Sequence, residues 1–422
     1  MESVLYLGTE KIDITPTFPV SLAGFASRSS MGPAEDVSHP LYARIFVFES
    51  RNNGDAQRSL LISADLLWWG SDRVPDLKRR IHSRFGIEEA AILLHGTHTH
   101  SGPQTSLLFT SYLGQPDLVY LAKLEEHVLD GIEQALANLE PVRAERGTGQ
   151  SLLGINRRGL RKSPPKTDEV DHELNVIRFT DLHDTPKAVF IHYACHPVIT
   201  NENKFSSEYI GVAMETVEQQ YGNGVVAGFL QGTCGDINPG DGQIVIRGTD
   251  EQVIEVGLAF AGDVLRVLDK PMTPLTGCRL QWRSETVELP LAALPDKQTL
   301  EDGLSLPDVH GEWHRIQLDR FHGLKQTMPL ELTWLKLAEE CSFLAMNAEI
   351  VVEYGLYLKR LSKGRILPIA YTNGMFGYVP TAAQLQEGGY ESYDSTYYFA
   401  MPAVFDPKVE QVLKNALDGF LK

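Results

Sequence analysis

Three times along this chain an apolar, strand-like run ends directly in a polar loop that carries Gly or Pro. Residues 90–94 lead into Gly96-Thr97-His98-Thr99-His100-Ser101-Gly102-Pro103. Residues 188–193 lead into Cys195-His196-Pro197, and residues 225–230 into Gln231-Gly232-Thr233-Cys234-Gly235-Asp236. Short apolar runs bounded by turn residues read as buried strands. In α/β proteins chemistry gathers in loops at the ends of such strands. Further strand-like runs fall at 3–14, 41–49, 59–64, 174–179, 343–346 and 366–370. Helical patterns fall at 72–84, with Ser71 as cap and Gly86 past the end, and at 117–139, 208–221, 250–269, 348–361 and from Pro407 onward. The second of these carries Leu118, Leu121, Leu124, Val128, Ile132 and Leu136 at helical spacing. Residues 290–340 read as charged and helix-prone. The expectation is an α/β (mixed α+β) fold of mixed β-sheets flanked by α-helices in a layered sandwich. It forms a single domain over 1–422 with a sub-domain seam near 271–290.

A hydrophobic fraction of 43% against 22% charged residues suits an ordinary globular core. The net charge of −17 argues against a nucleic-acid or anionic-membrane surface, since either needs a basic face. No run approaches the ~20 apolar residues of a membrane helix. The first residues show no basic region followed by an apolar one, so a cytoplasmic chain is expected. Four cysteines are too sparse for a disulfide framework, and Cys195 and Cys234 read as buried reduced thiols.

On an extended backbone His98 and His100 face one side and can share a pocket. Two neutral imidazoles there suit a divalent metal, zinc above all, while hydrogen-bonding loop histidines are the equal alternative. His196 is held extended by Pro197, yet with His192 it reads on its own as a packed or capping histidine. In Gly235-Asp236-Ile237-Asn238-Pro239 the glycine exposes N–H groups suited to an anion, and Asp236 and Asn238 offer hydrogen bonds. A plain Asx/Gly turn accounts for this segment equally well. Glu349 falls at the start of a predicted helix, where a carboxylate complements the macrodipole, and Glu353 one turn later reads as a surface residue. Tyr378 and Tyr390, taken singly, read as core or interface residues.

In this order, Tyr6-Leu7-Gly8, Asp13-Ile14-Thr15, Leu41-Tyr42-Ala43-Arg44 and Ser63-Ala64-Asp65 resemble the neutral/alkaline (non-lysosomal) ceramidase family. So do Thr97-His98-Thr99-His100-Ser101-Gly102-Pro103, Ile155-Asn156-Arg157, His196-Pro197, Gly235-Asp236…Pro239, the Glu349 segment and Gly377-Tyr378-Val379. The resemblance runs from residue 5 to about 400, and the THTHSGP motif is its most specific part. Family members are zinc amidases that cleave the N-acyl bond of ceramide. The resemblance implies one catalytic zinc ion held by His98, His196, Glu349 and Tyr378. It implies that His100, Arg157 and Tyr390 line the reaction centre, with His100 moving a proton and Arg157 and Tyr390 stabilising an oxyanion. Asp236 and Asn238 would belong to the same centre, but Asn238 stands where the family carries a serine. A serine-dependent relay therefore does not carry over, whereas attack by water needs only the metal and its neighbours. By that resemblance, a catalytic domain without the β-rich C-terminal domain of longer members is expected. The expected partner is a small-molecule N-acyl substrate other than ceramide, with no nucleic acid and no membrane insertion. A metal-dependent esterase or other C–N hydrolase, and a non-catalytic metal-binding protein, are the alternatives.

Overall fold

In the computed structural model, residues 4–52, 55–162, 169–222 and 224–421 are described. The apolar runs assemble into two large sheets. The first has the order Ile92–Gly96, Asp55–Ala64, Tyr42–Asn52, Val4–Asp13, Glu140–Gln150, Glu173–Thr180, Pro186–Tyr193, Val226–Gln231. Its inner pairs are antiparallel, but the pair at each end is parallel: Asp55–Ala64 with Ile92–Gly96, and Pro186–Tyr193 with Val226–Gln231. The two ends also approach each other. The Ser63 hydroxyl donates to the Phe229 carbonyl at 2.7 Å, and the Gln231 N–H donates to His95 Nε2 at 2.9 Å. That closure is why the three polar loops, far apart in sequence, emerge together.

The second sheet has the order Gln281–Pro290, Thr327–Ala338, Cys341–Met346, Ile366–Ile369, with only the last pair parallel. Strand alternation sorts the core into layers. Ile45, Val47, Leu60 and Ile62 point to the helices Val74–Phe85 and Leu118–Ala137. Phe46, Phe48, Phe179 and Phe190 point the other way, against Leu335, Leu337, Phe343 and Leu367 of the second sheet. Leu344 and Met346 face the helices Val352–Ser362 and Val409–Gly419 through Leu358 and Leu413. The architecture is thus helix, sheet, sheet, helix. Around residues 271–290 the chain passes between sheets: Thr273–Pro274 pairs with the first and Gln281–Pro290 edges the second.

Several elements follow the sequence pattern closely. The helix Glu208–Tyr221 has the expected bounds, and Gly86 ends the first helix at φ 68° in the left-handed region that favours glycine. Asp117 caps the long helix by accepting from the Val119 and Tyr120 N–H groups. Ser71 is not a cap; its hydroxyl donates to the Met375 carbonyl and accepts from the Met375 N–H. Most of 290–340 departs from the helical expectation. Only Lys297–Asp302 and Val309–Asp319 are α-helical, and Thr327–Ala338 is a twelve-residue strand. There Leu330 and Leu332 face one layer and Leu335 and Leu337 the other, so the alternation changes phase at Thr333-Trp334 and each half is too short to signal a strand.

Candidate metal centre

The loop after Ile92–Gly96 is pinned before it presents its histidines. The N–H groups of Thr97 and His98 donate to the carbonyls of Ala64 and Leu66, at 2.8 and 2.9 Å. The Thr97 hydroxyl donates to buried Asp65, and that of Thr99 to the Ser206 carbonyl. Asp65 is fixed in turn by the Tyr42 N–H and the buried guanidinium of Arg44. The threonines of the motif therefore hold the loop while its histidines face inward. His98 adopts φ 70°, an uncommon conformation for a non-glycine residue. The extended geometry expected for His98 and His100 is thus incorrect: the strand has ended, and a left-handed residue turns the two rings toward each other. Their Nε2 atoms lie 3.4 Å apart.

His196 arrives on the loop after Pro186–Tyr193 and Glu349 on the two-residue strand Glu349–Ile350. That strand corrects the placement of Glu349 in the first turn of a helix, which begins only at Val352. It pairs in parallel with Tyr378–Val379, with Glu349 opposite Tyr378, so the two side chains are cross-strand neighbours. Glu349 Oε2 lies 3.5 Å from His98 Nε2 and 3.4 Å from His196 Nε2. Both rings are oriented from behind: Nδ1 of His98 faces the Leu67 carbonyl and Nδ1 of His196 the Ile237 carbonyl, each at 3.0 Å. Nε2 is then the free lone pair on each ring, the arrangement a metal-binding histidine requires. Ring nitrogens of His98, His100 and His196 lie within 4.8 Å of one another. His196 Nε2 and Glu349 Oε2 are buried without a hydrogen-bond partner. Such atoms are costly in a dry interior, and a cation between them removes the cost. The donor set therefore fits a metal ion of the zinc type.

Electrostatics agree with that fit. Burial lowers His196 to about 4 and, with the neighbouring His98, His196, Arg28 and Arg247, pulls His100 well below its ordinary value; both rings are neutral at pH 7. The Tyr378 phenol is raised by burial and by Glu349, with Arg157 opposing.

Arg157 is held through all three guanidinium nitrogens. It donates from Nε to Glu391 at 2.7 Å and from Nη1 to Asn238 Oδ1 at 2.9 Å. Its Nη2 donates to the Gly235 carbonyl at 2.7 Å and to the Tyr378 hydroxyl at 3.2 Å. Asn156, at the end of the strand Gly154–Asn156, caps the short helix Arg157–Leu160, and that strand pairs with Ile237–Pro239 so that Asn238 meets Arg157. Tyr390 stacks edge-on to Tyr378 at 5.6 Å. Gly24, at φ 104°, lies so close to His100 that a Cβ there would meet Nδ1 at 2.5 Å. His100, His196, Arg157, Asn238, Tyr378 and Tyr390 all line one cavity of about 520 Å³.

Other singled-out residues stand elsewhere. Asp236 does not face the cavity among these residues. It is buried behind Arg157, accepting from the Val352 N–H, Asn156 and Gln384 at 3.0–3.1 Å, and so supports the loop. Glu353 is not a solvated surface residue: Gln384 bridges it to Asp236, and burial plus that carboxylate raises it to about 8. His192 stays in the sheet, bonded to the Pro368 carbonyl. Cys195 and Cys234 are buried free thiols. Sequence reasoning passed over Glu391, which pairs with both Arg157 and Arg158 at 2.7 Å, and Tyr371, which stacks on His98 at 3.7 Å. A lone acid and a lone tyrosine carry no pattern that marks them in advance.

Two imidazoles and a carboxylate converging beside a cavity define a candidate open metal centre on a two-sheet sandwich. Residues 5–252 match the family described as neutral/alkaline non-lysosomal ceramidase, N-terminal, and the chain belongs to that family. Neutral ceramidase B of Dictyostelium discoideum is 27% identical over 263 residues, which span 56% of this chain and 36% of that protein. Neutral ceramidase of Pseudomonas aeruginosa is 26% identical over 249 residues, 55% of this chain and 36% of its own length. The matched stretch thus spans about a third of these curated relatives. In three dimensions the crystal structure of the Pseudomonas aeruginosa neutral ceramidase superposes with a TM-score of 0.78 at 18% identity. That likeness covers 99% of this chain and 74% of the other, and it establishes a shared fold.

Proposed function

We propose that this protein is a zinc-dependent amidohydrolase that cleaves linear N-acyl bonds with water. The observation that carries the reading is the convergence of His98 Nε2 and His196 Nε2 on Glu349 Oε2, with both rings oriented from behind and the cluster opening onto a cavity. Family membership supports it, since the named relatives are ceramidases. His98, His196, Glu349 and Tyr378 would hold the ion. When bound, zinc polarises a carbonyl and lowers the pKa of water to about 7.

The remaining work falls to the protein. His100 is an uncharged imidazole with Nε2 turned to the donor cluster. It can accept a proton there and return it to the departing amine nitrogen. Arg157, fixed by four contacts, and Tyr390 offer hydrogen-bond donors to the oxyanion that develops on the acyl carbonyl. Asn238 orients Arg157 and has no ionisable hydroxyl, so a serine relay is not available. The arginines that line the cavity favour a polar or charged N-acyl compound over ceramide.

Released amine, followed over matched N-acyl and O-acyl substrates with zinc-loaded and chelated protein, tests the reading. Zinc-dependent amide cleavage is expected. Exclusive ester turnover would make the protein an esterase, and bound zinc with no turnover across both sets would make it a non-catalytic metal-binding protein.

A further inference from the structure

The cavity beside the metal centre is cationic in a chain of net charge −17. Arg157, Arg161 and Arg247 line it, and among the described residues no aspartate or glutamate does. Only Arg157 is neutralised, by Glu391. Arg161 follows the helix Arg157–Leu160, four residues after Arg157, and so lies toward the same side. Arg247 is exposed but not free to swing away: Nη1 donates to the Val198 carbonyl at 3.0 Å, and the guanidinium lies 5.7 Å from the Phe25 ring. That ring packs at 4.9 Å from His100, which ties Arg247 to the reaction centre. On its other contact Phe25 meets Arg28, a buried guanidinium bonded to the carbonyls of His100, Asn201 and Glu202 and to the Ser101 hydroxyl. Neither Arg161 nor Arg247 forms an ion pair among the described residues; Arg157 and Arg161 repel Arg247, and the buried Glu208 carboxylate opposes them from farther inside. Cations gathered in this way, with no carboxylate paired to Arg161 or Arg247, are matched by an anion from outside.

We propose that the substrate of this site carries an anionic group, a carboxylate or a phosphate, that meets Arg161 and Arg247 at the mouth of the cavity while its acyl bond lies at the metal centre. The inference rests on the amidohydrolase reading for the bond cleaved, but the anion subsite is measurable without turnover. Calorimetric binding is compared for N-octanoylglycine against N-octanoylethanolamine, and for N-octylsuccinamate against N-octylbutanamide. The first pair puts the charge on the amine side and the second on the acyl side. An acid is expected to bind at least about tenfold tighter than its neutral twin, the worth of a charge-assisted hydrogen bond. In the doubly substituted Arg161→Gln, Arg247→Gln protein, checked for native circular dichroism and zinc content, the ratio is expected to fall toward one. Equal affinities within both pairs, or an undiminished preference in the double variant, would overturn the proposal. Released amine is scored in the same samples. No cleavage of any compound would defeat the amidohydrolase reading and leave the binding ratios to decide the anion subsite. Cleavage without preference for an acid would do the reverse.

Discussion

His98 concentrates several demands in one residue: a left-handed backbone, an Nδ1 bond to the Leu67 carbonyl, and an Nε2 facing Glu349. A conformation of this kind persists only where its surroundings enforce it, and such residues gather at functional sites. Replacing His98 by Ala is expected to reduce zinc retained after dialysis from near one ion per chain to trace, read by elemental analysis. Asn238 acts one step away, through Arg157. Its replacement by Ala is expected to lower kcat/KM for amide cleavage roughly tenfold, the worth of one hydrogen bond to a charged group. Zinc content should stay unchanged, which separates an effect on Arg157 from loss of the metal. The sequence singled out His98, His196, Glu349 and Tyr378 only as an ordered set. Singly, His196 and Tyr378 looked like packing residues, because nothing local distinguishes a candidate ligand from a buried ring.

Among the elements, the short ones place the chemistry. Glu349–Ile350 and Tyr378–Val379 are two-residue strands, and Ile237–Pro239 and Gly154–Asn156 are three residues long. Elements so short have no periodicity, which is why Glu349 read as the start of a helix. Long segments with one buried face, such as Glu208–Tyr221 and Leu118–Ala137, were legible from spacing alone. Thr327–Ala338 was not, since the buried face switches midway and leaves two short alternating runs. The segment Tyr390–Asp394 is tied to the helix Arg157–Leu160 by Glu391, which is 2% exposed and accepts from two arginines. Glu391→Gln removes the charge that balances them. A loss of about 3–5 kcal/mol in stability is expected from urea unfolding, with lowered activity because Arg157 and Tyr390 both lean on this contact.

Over the whole molecule, the approach of the first sheet's two ends brings the three loops to one place. Its cost is a set of histidines sealed inside the protein. Burial lowers His95 and His192 to about 3. An unfolded histidine takes up a proton near pH ~6.5, whereas these folded ones stay neutral until far lower pH. Their neutral forms therefore give full stability above about pH 6.5, and that contribution is lost as the pH falls toward 3. Tm of the metal-free protein is expected to drop between pH 7 and pH 5, and His192→Asn should flatten the drop. The Leu93, Phe46 and Phe190 side of the sheet shows why apolar runs forecast a layered fold, while its closure, made by single contacts such as Ser63 to Phe229, left no trace in the sequence. The central claim is that this closure builds one zinc site. The direct measurement is an anomalous difference map at the zinc absorption edge from crystals of the zinc-loaded protein. One peak bounded by His98, His196, Glu349 and Tyr378 is the result expected; no peak there, or a peak held by other residues, would contradict it.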